Sequence, residues 1–397
     1  MGGQSPGRFF SRPTTYHYDT SNRLTRVENS QAGTADDITV TYDLLGRKTS
    51  MSDPDMGTWH YTYDENGNLI TQTDGRGDTV QNPELGQTVY FTYDELNRPL
   101  FQYDTDDTGD RISKWEYDFV DTAAQVFERG LLSQSKSYEN DTLRVTVDPL
   151  GYDARGRVTS TKWTVAGQGA GNWTVSQTYD EADRIESLTY PTGEVVTYSY
   201  SDDTGLPESL DTDQGDVIVA NASWTDQGQP LTQEWGTGSA NIYGSWEYKA
   251  DTLRLWRIKA DKDSQTGSDL ALLRYHYDES GNVTQLRDVK NAGQVQCFYY
   301  DDLHRLVEAY TSEDDAGTSD DCTDGYDQLG SGPYHYKWTF DQLGNVKTWT
   351  DVLGSNTETY TYGAGSAGPH AVTAFDGGTY GYDGNGNQTT RPNKATP

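Results

Sequence analysis

Carboxylates are the residues of this chain with the most chemistry in them. DTDQGD, from Asp211, sets Asp211, Asp213 and Asp216 at the alternating spacing by which short acidic loops offer oxygens to calcium. DTDDTGD, Asp104 to Asp110, echoes the pattern, and Asp320, Asp321 and Asp324 make a third acidic stretch. None carries the distal bidentate glutamate of an EF-hand, so an ordinary exposed turn competes with calcium at each. No other cofactor is implied. Hydrolysis of a glycoside needs two carboxylates at a set separation in a cleft, and a chain this rich in acids singles out no pair. Nucleophile elbow, P-loop and dinucleotide fingerprint are all missing. Two cysteines and six scattered histidines do not spell a zinc site. The expectation is a protein without catalysis of its own. Trp163, Trp173, Trp224, Trp235 and Trp246 stand in strand-like contexts, where they either stack on sugars or pack within a sheet. His276 and His335 lie beside tyrosines and read as structural.

A recurring unit must position these residues. YDENGNLITQT, from Tyr63, has relatives beginning at Tyr18, Tyr42, Tyr93, Tyr152, Tyr179, Tyr277, Tyr300, Phe340 and Tyr382, ten copies in all. Worn copies begin at Tyr138, Tyr200, Trp224 and Tyr248. In the unit of Tyr63, side chains alternate before the Asp and again after the Asn-Gly-Asn segment, which is the period of strands. The Asp/Asn/Gly-rich join is turn chemistry, so the unit is a β-hairpin.

Each signature position has a physical task. Tyr42, Tyr63, Tyr152, Tyr277 and Tyr300 close the first strand and pack a ring on the sheet, with the hydroxyl left wet. Asp43, Asp64, Asp153, Asp278 and Asp301 cap the turn by accepting backbone N–H groups. Gly46, Gly67, Gly156 and Gly281 supply a positive φ; Asn22 and Asn97 tolerate it, and Asp183 and His304 are less comfortable there. Arg47, Arg157 and Arg305 follow, each in reach of its own Asp, for register more than for stability.

About fourteen hairpins make about 28 strands. Open sheets of more than about ten strands curl, with a hand set by strand twist. The expected fold is therefore all-β: tandem hairpins in one long, curled or spiralling antiparallel sheet, a partial shell or barrel. The array is read as a single body over 1–397, interrupted near 104–135 and 311–333 and ending in a segment at 360–391. Residues 120–132 fit a short helix or an aberrant strand pair. The last repeat is followed by no capping element, so the chain is expected to be part of a longer protein or to have its ends covered by something else.

Bulk composition narrows the partners. Hydrophobic content is 33%, so a large conventional core is not expected, while 12% aromatics argue against disorder. The formal charge of −32 excludes a phosphate-tracking nucleic-acid binder and disfavours anionic membranes. No apolar run approaches a membrane span, and the first residues lack the apolar centre of a signal peptide. Cys297 and Cys322 flank the Tyr300 turn; a bridge in an oxidising compartment and two free thiols both fit.

The YDxxGRL units at 20–30-residue intervals, with the closing stretch Tyr360 to Arg391, resemble the Rhs/YD-repeat family. More distantly they resemble the YD repeats of teneurins. The resemblance implies a β-strip wound into a hollow shell, which in bacterial members encloses a C-terminal toxin domain, as in polymorphic toxins and the cocoon of Tc toxin complexes. It also implies a secreted or surface-bound bacterial location, and as partner a C-terminal effector or a sister shell protein. The family's terminal DPxGxxxG-type segment is not found at the end: the chain has Asp53-Pro54 and Asp148-Pro149-Leu150-Gly151, and the second belongs to the unit of Tyr152 and reads as a turn. The expected role is a containment scaffold. Adhesion or glycan binding by the same wall is the alternative, and a polysaccharide-active enzyme comes third.

Overall fold

A computed structural model describes residues 14–29, 36–77, 86–121, 126–169, 173–215, 217–236, 241–262, 269–290, 294–312, 322, 332–365 and 367–392. Among them are strands, turns and a three-residue 3-10 turn, Gly75–Gly77. The all-β expectation holds. One antiparallel sheet takes in 27 strands. A three-stranded sheet (Thr361–Tyr362, Val372–Phe375, Gly378–Thr379) and a two-stranded one (Gly381–Tyr382, Gln388–Thr390) carry the closing segment. Within 120–132 the described residues, 120–121 and 126–132, belong to strands Arg111–Asp121 and Val126–Glu139 rather than to a helix. Among the described residues no helix is long and apolar enough to cross a membrane.

The hairpin corner explains the repetition. Strand Ile38–Tyr42 pairs with strand Lys48–Asp53 one residue against one until Thr41 faces Ser50; then Tyr42 faces Lys48 and a residue is left over. The same slip precedes the signature aromatic at Tyr63, Tyr93, Tyr179, Tyr277 and Tyr300. The surplus residue bends the ladder into the corner. Asp43 fills it: its N–H donates to the Arg47 carbonyl at 2.9 Å, and its Oδ1 accepts the N–H groups of Leu45 and Arg47 at 2.9 and 2.8 Å. Gly46 completes the turn at φ +85°, a conformation that costs a side-chain-bearing residue about 1 kcal/mol or more. Just before the corner, hydroxyls pair across the strands, Thr41 with Ser50 at 2.7 Å and Thr178 with Ser187 at 2.7 Å.

The chain packs as two compact units, residues 1–117 with 134–146 and 337–397, and residues 118–133 with 147–336. Strand residues are mostly half-buried, as a thin sheet requires. In the second unit Val295, Cys297, Tyr310, Thr311 and His335 are fully buried.

Candidate functional site

Successive corners are bolted to one another. The signature hydroxyl does not stay wet. Tyr63 donates to the Lys48 carbonyl at 2.8 Å, Tyr93 to Leu69 at 2.9 Å, Tyr200 to Ile185 at 2.8 Å and Tyr300 to Val283 at 2.9 Å. Tyr42, Tyr152, Tyr179 and Tyr277 do the same to Leu24, Leu132, Val158 and Leu255. Except for Leu132, the seventh residue of strand Val126–Glu139, each acceptor opens the preceding return strand. Lys48, Leu69, Ile185 and Val283 lie at the register slips of their corners, and a buried carbonyl left unmet is costly. Trp224 replaces the tyrosine in one worn copy and donates its indole N–H to Pro207 at 2.8 Å. Burial is the largest influence on Tyr63, Tyr93, Tyr200 and Tyr300, pushing each phenol above its ordinary range.

The arginine has two tasks. Arg47 Nε donates to Asp43 Oδ2 at 2.7 Å, while its Nη1 reaches the carbonyl of Asp64, in the next corner, at 2.9 Å. Its guanidinium lies 4.8 Å from the ring centre of Tyr63. Arg184 repeats this with Asp180 at 2.6 Å, the Gly205 carbonyl at 3.0 Å and the Tyr200 ring at 4.3 Å. Arg157 binds Asp153 at 2.6 Å and lies 4.3 Å from the Tyr179 ring, and Arg305 grips Asp301 at 2.7 Å. Where asparagine takes the place, as at Asn68 and Asn282, the amide bonds Asp64 and Asp278 at 2.8 and 2.7 Å. Gly67, Gly156 and Gly281 occupy their corners at φ +92°, +76° and +102°. The backbone N–H of Arg47 or Arg157, first among several bonds, holds Asp43 or Asp153 below the usual carboxylate range.

The acidic loops are engaged locally. Asp211 lies in strand Pro207–Thr212, accepting from Ser209 at 3.3 Å. Asp213 accepts the Val195 N–H at 3.0 Å, while Asp216 is outside the described residues. Asp104 and Asp106 cap their own loop, taking the N–H groups of Asp110 and Thr108 at 2.6 and 2.9 Å. Asp320, Asp321 and Asp324 lie outside the described residues. Trp163 and Trp173 face each other across paired strands, and Trp235 meets Trp246 edge-on at 6.1 Å.

Two further contacts tie distant residues, and the first settles between the two readings of the cysteines. Cys297 and Cys322 form a disulfide, Cα–Cα 5.6 Å, that fixes Cys322 over Val295 and Tyr310. Tyr299 and Tyr310 also donate to the Cys322 carbonyl. In the first unit, the closing segment meets the turns after strands Lys48–Asp53 and Leu69–Thr73. Asn385 Nδ2 donates to Asp74 Oδ2 at 2.8 Å. Burial alone pushes Asp74 up, but bonds from Arg76, Asn385 and backbone amides hold it below its ordinary value. The backbone and Nδ1 of His370 both bond Asp55, at 3.0 and 2.6 Å. Donor atoms of Asp36, Asp55 and His370 lie within 4.8 Å of one another. Both Asp55 oxygens are already engaged by His370, which makes this an ion pair before it is a ligand set.

Comparisons place the chain. The RHS Repeat family model matches residues 42–79, two complete corners of the kind just described. The structure of TcdB2-TccC3-Cdc42 matches with a TM-score of 0.72 at 18% identity, over 96% of this chain and 20% of that one. TcdB2-TccC3 alone matches at 0.71 and 16%, over 95% and 21%. The Photorhabdus luminescens Tc holotoxin pore matches at 0.73 and 17%, over 96% and 19%. This chain thus spans about a fifth of the length of the chains it matches. A comparison with curated proteins yielded no match. An RHS repeat is thus present at residues 42–79, and over nearly its whole length the chain shares the fold of these structures.

Proposed function

We propose that the chain is a stretch of containment wall in a secreted or surface-displayed bacterial toxin assembly, and part of a longer protein. Its partner on this reading is a C-terminal effector domain or a sister shell protein. The supporting observation is the corner-to-corner bolting. The signature tyrosines described above, with Arg47, Arg157 and Arg184, are committed to a neighbouring hairpin, which is how a polar sheet is kept continuous without a deep core. The fold match to TcdB2-TccC3 over 95% of the chain supports the same reading. A disulfide fits an oxidising location. The wall is assigned no reaction. Single-particle imaging of the natural protein containing this chain, with mass spectrometry of what co-purifies, tests it. Polypeptide density enclosed by the repeat strands is expected. Repeats that enclose nothing, in a preparation without an effector, would refute it.

A second reading, a carbohydrate-binding surface, rests on Trp173, which is 46% exposed directly across from Trp163. Glycan-array binding lost in Trp173→Ala would favour it.

A further inference from the structure

We propose that residues 367–387 form a clasp whose hold on the turns at 53–57 and 74–77 is set by the protonation of His370. The clasp lies within the first unit and does not depend on what the wall contains. Its steric part is glycine against glycine. A Cβ on Gly57 would stand 2.7 Å from the Gly384 carbonyl oxygen, and one on Gly384 would stand 2.8 Å from the Arg76 Cα, so neither position admits a side chain without backbone movement. That fit is insensitive to pH. So is the Asn385–Asp74 bond near neutrality, because Asp74 is held ionised by Arg76.

His370 is the group of the clasp that titrates near pH 7. Every titratable side chain identified as facing it is an acid. Asp55, from the turn before strand Gly57–Tyr63, takes both its N–H donors. Asp36, just before strand Ile38–Tyr42, has Oδ1 3.8 Å from Nδ1. Asp341 acts from the corner after strand His335–Phe340. Asp53 is turned to the Asp55 N–H, and the neighbouring Arg26 is paired with Asp37. At the Asp341 corner the usual arginine is Asn345, which brings no positive charge. Its amide instead bridges Asp341 and the Pro369 carbonyl, 3.0 Å from each, tying the corner to the clasp.

Burial alone depresses the His370 pKa; the bond to Asp55 and the charges of Asp55, Asp36 and Asp341 outweigh it and raise it. The sign follows. A histidine raised on folding contributes fully below its unfolded value, about 6.5, and the contribution disappears as pH rises through the folded value. Neutral imidazole still donates one bond to Asp55, so the clasp loosens without detaching. Its opening constant rises at most about tenfold for each pKa unit of elevation.

Hydrogen exchange of the whole chain, from about pH 5.5 to about pH 8.5 and corrected for intrinsic rates, reads this directly. Peptides covering 44–58 and 367–391 are expected to open more, and together, as pH rises. His370→Gln is expected to abolish that slope. An NMR titration of the unaltered protein, with His370 assigned by its absence from the His370→Gln spectrum, is expected to place its midpoint above about 6.5. A flat profile in the unaltered chain, the same slope in His370→Gln, or a midpoint at or below the ordinary value would overturn the proposal.

Discussion

Tyr200→Phe removes one oxygen atom and tests whether corners are bolted as described. The phenol donates to the Ile185 carbonyl at 2.8 Å, and the ring lies under the Arg184 guanidinium at 4.3 Å. Phenylalanine keeps the ring and the cation contact, so the loss is confined to one hydrogen bond. Such a bond is worth about 1 kcal/mol net, with a further penalty if the carbonyl stays dry. Because Tyr200 is only half-buried, water reaches part of that carbonyl, and the low end, about 1 kcal/mol, is expected. That is roughly a fivefold rise in local opening. Tyr200→Leu also loses ring packing and the cation contact, for about 3 kcal/mol in total. Arg184→Lys keeps the charge but gives up the fork that joins Asp180 to Gly205. Combined with Tyr200→Leu in a cycle, it should show a coupling of about 0.5–1 kcal/mol.

Hydrogen exchange resolved by peptide is the assay, because one melting temperature is poorly defined for a repeat array. Faster exchange is expected in strands Ile185–Thr189, Val195–Tyr200 and Pro207–Thr212. Distant strands should be unchanged. Tyr190→Phe, at a residue 40% exposed and outside the signature, is the control and should move nothing by more than about twofold. If Tyr200→Phe matched that control, the hydroxyl bond would be incidental and the bolting argument would fail.

Acid should unfold the array collectively. Asp43, Asp94 and Asp153 are held low chiefly by the backbone N–H of Arg47, Arg98 and Arg157. Their contribution is present above the unfolded value near 3.9 and disappears as pH falls through the folded value, so circular dichroism should report loss of structure below about pH 4. Asp→Asn at several corners should flatten that transition. Cys297→Ala with Cys322→Ala should cost about 3 kcal/mol from the opened loop, read as faster exchange in strands Gln294–Tyr300 and Leu306–Ser312. Reductant should act slowly, since Cys297 is fully buried. If Asp211, Asp213 and Asp216 hold calcium, the ion should slow exchange in strand Pro207–Thr212 and EDTA should reverse it; unchanged exchange removes the site.

The corner was readable because its physics is local. Asp43 bonds residues two and four positions on, and a positive φ leaves its mark as Gly46 or Asn97. The bolting was not readable. The acceptor of Tyr63 lies 15 residues back and that of Tyr93 lies 24 back, so no fixed spacing exposes the pairing. A period-two pattern says that a ring faces the sheet but not where its hydroxyl ends. The clasp was hidden further, since His370 and Asp55 are 315 positions apart. Its traces were present all the same. Glycines crowd residues 363–386, among them Gly384, whose place against Gly57 and Arg76 admits no side chain. Cys322 sits in an insertion rather than on the strand paired with Cys297, which is why spacing left the disulfide open.

Bolts between neighbours also decide how such a wall tolerates damage. Where stability is a sum of unit and interface terms, a broken interface lowers protection on either side of it and leaves the rest standing. A chain with a formal charge of −32 and few fully buried side chains among its described residues has little shared core there through which a defect could spread. The clasp is different in kind. It joins elements far apart in sequence, so its loss removes a long-range constraint that no neighbouring corner replaces. Corner variants such as Tyr200→Phe should therefore give effects that fade within one or two hairpins. Asp55→Asn should instead disturb 44–58 and 367–391 together, with the intervening second unit unmoved. A disturbance that travelled hairpin by hairpin from Asp55 would show that the closing segment is held by the array and not by the clasp.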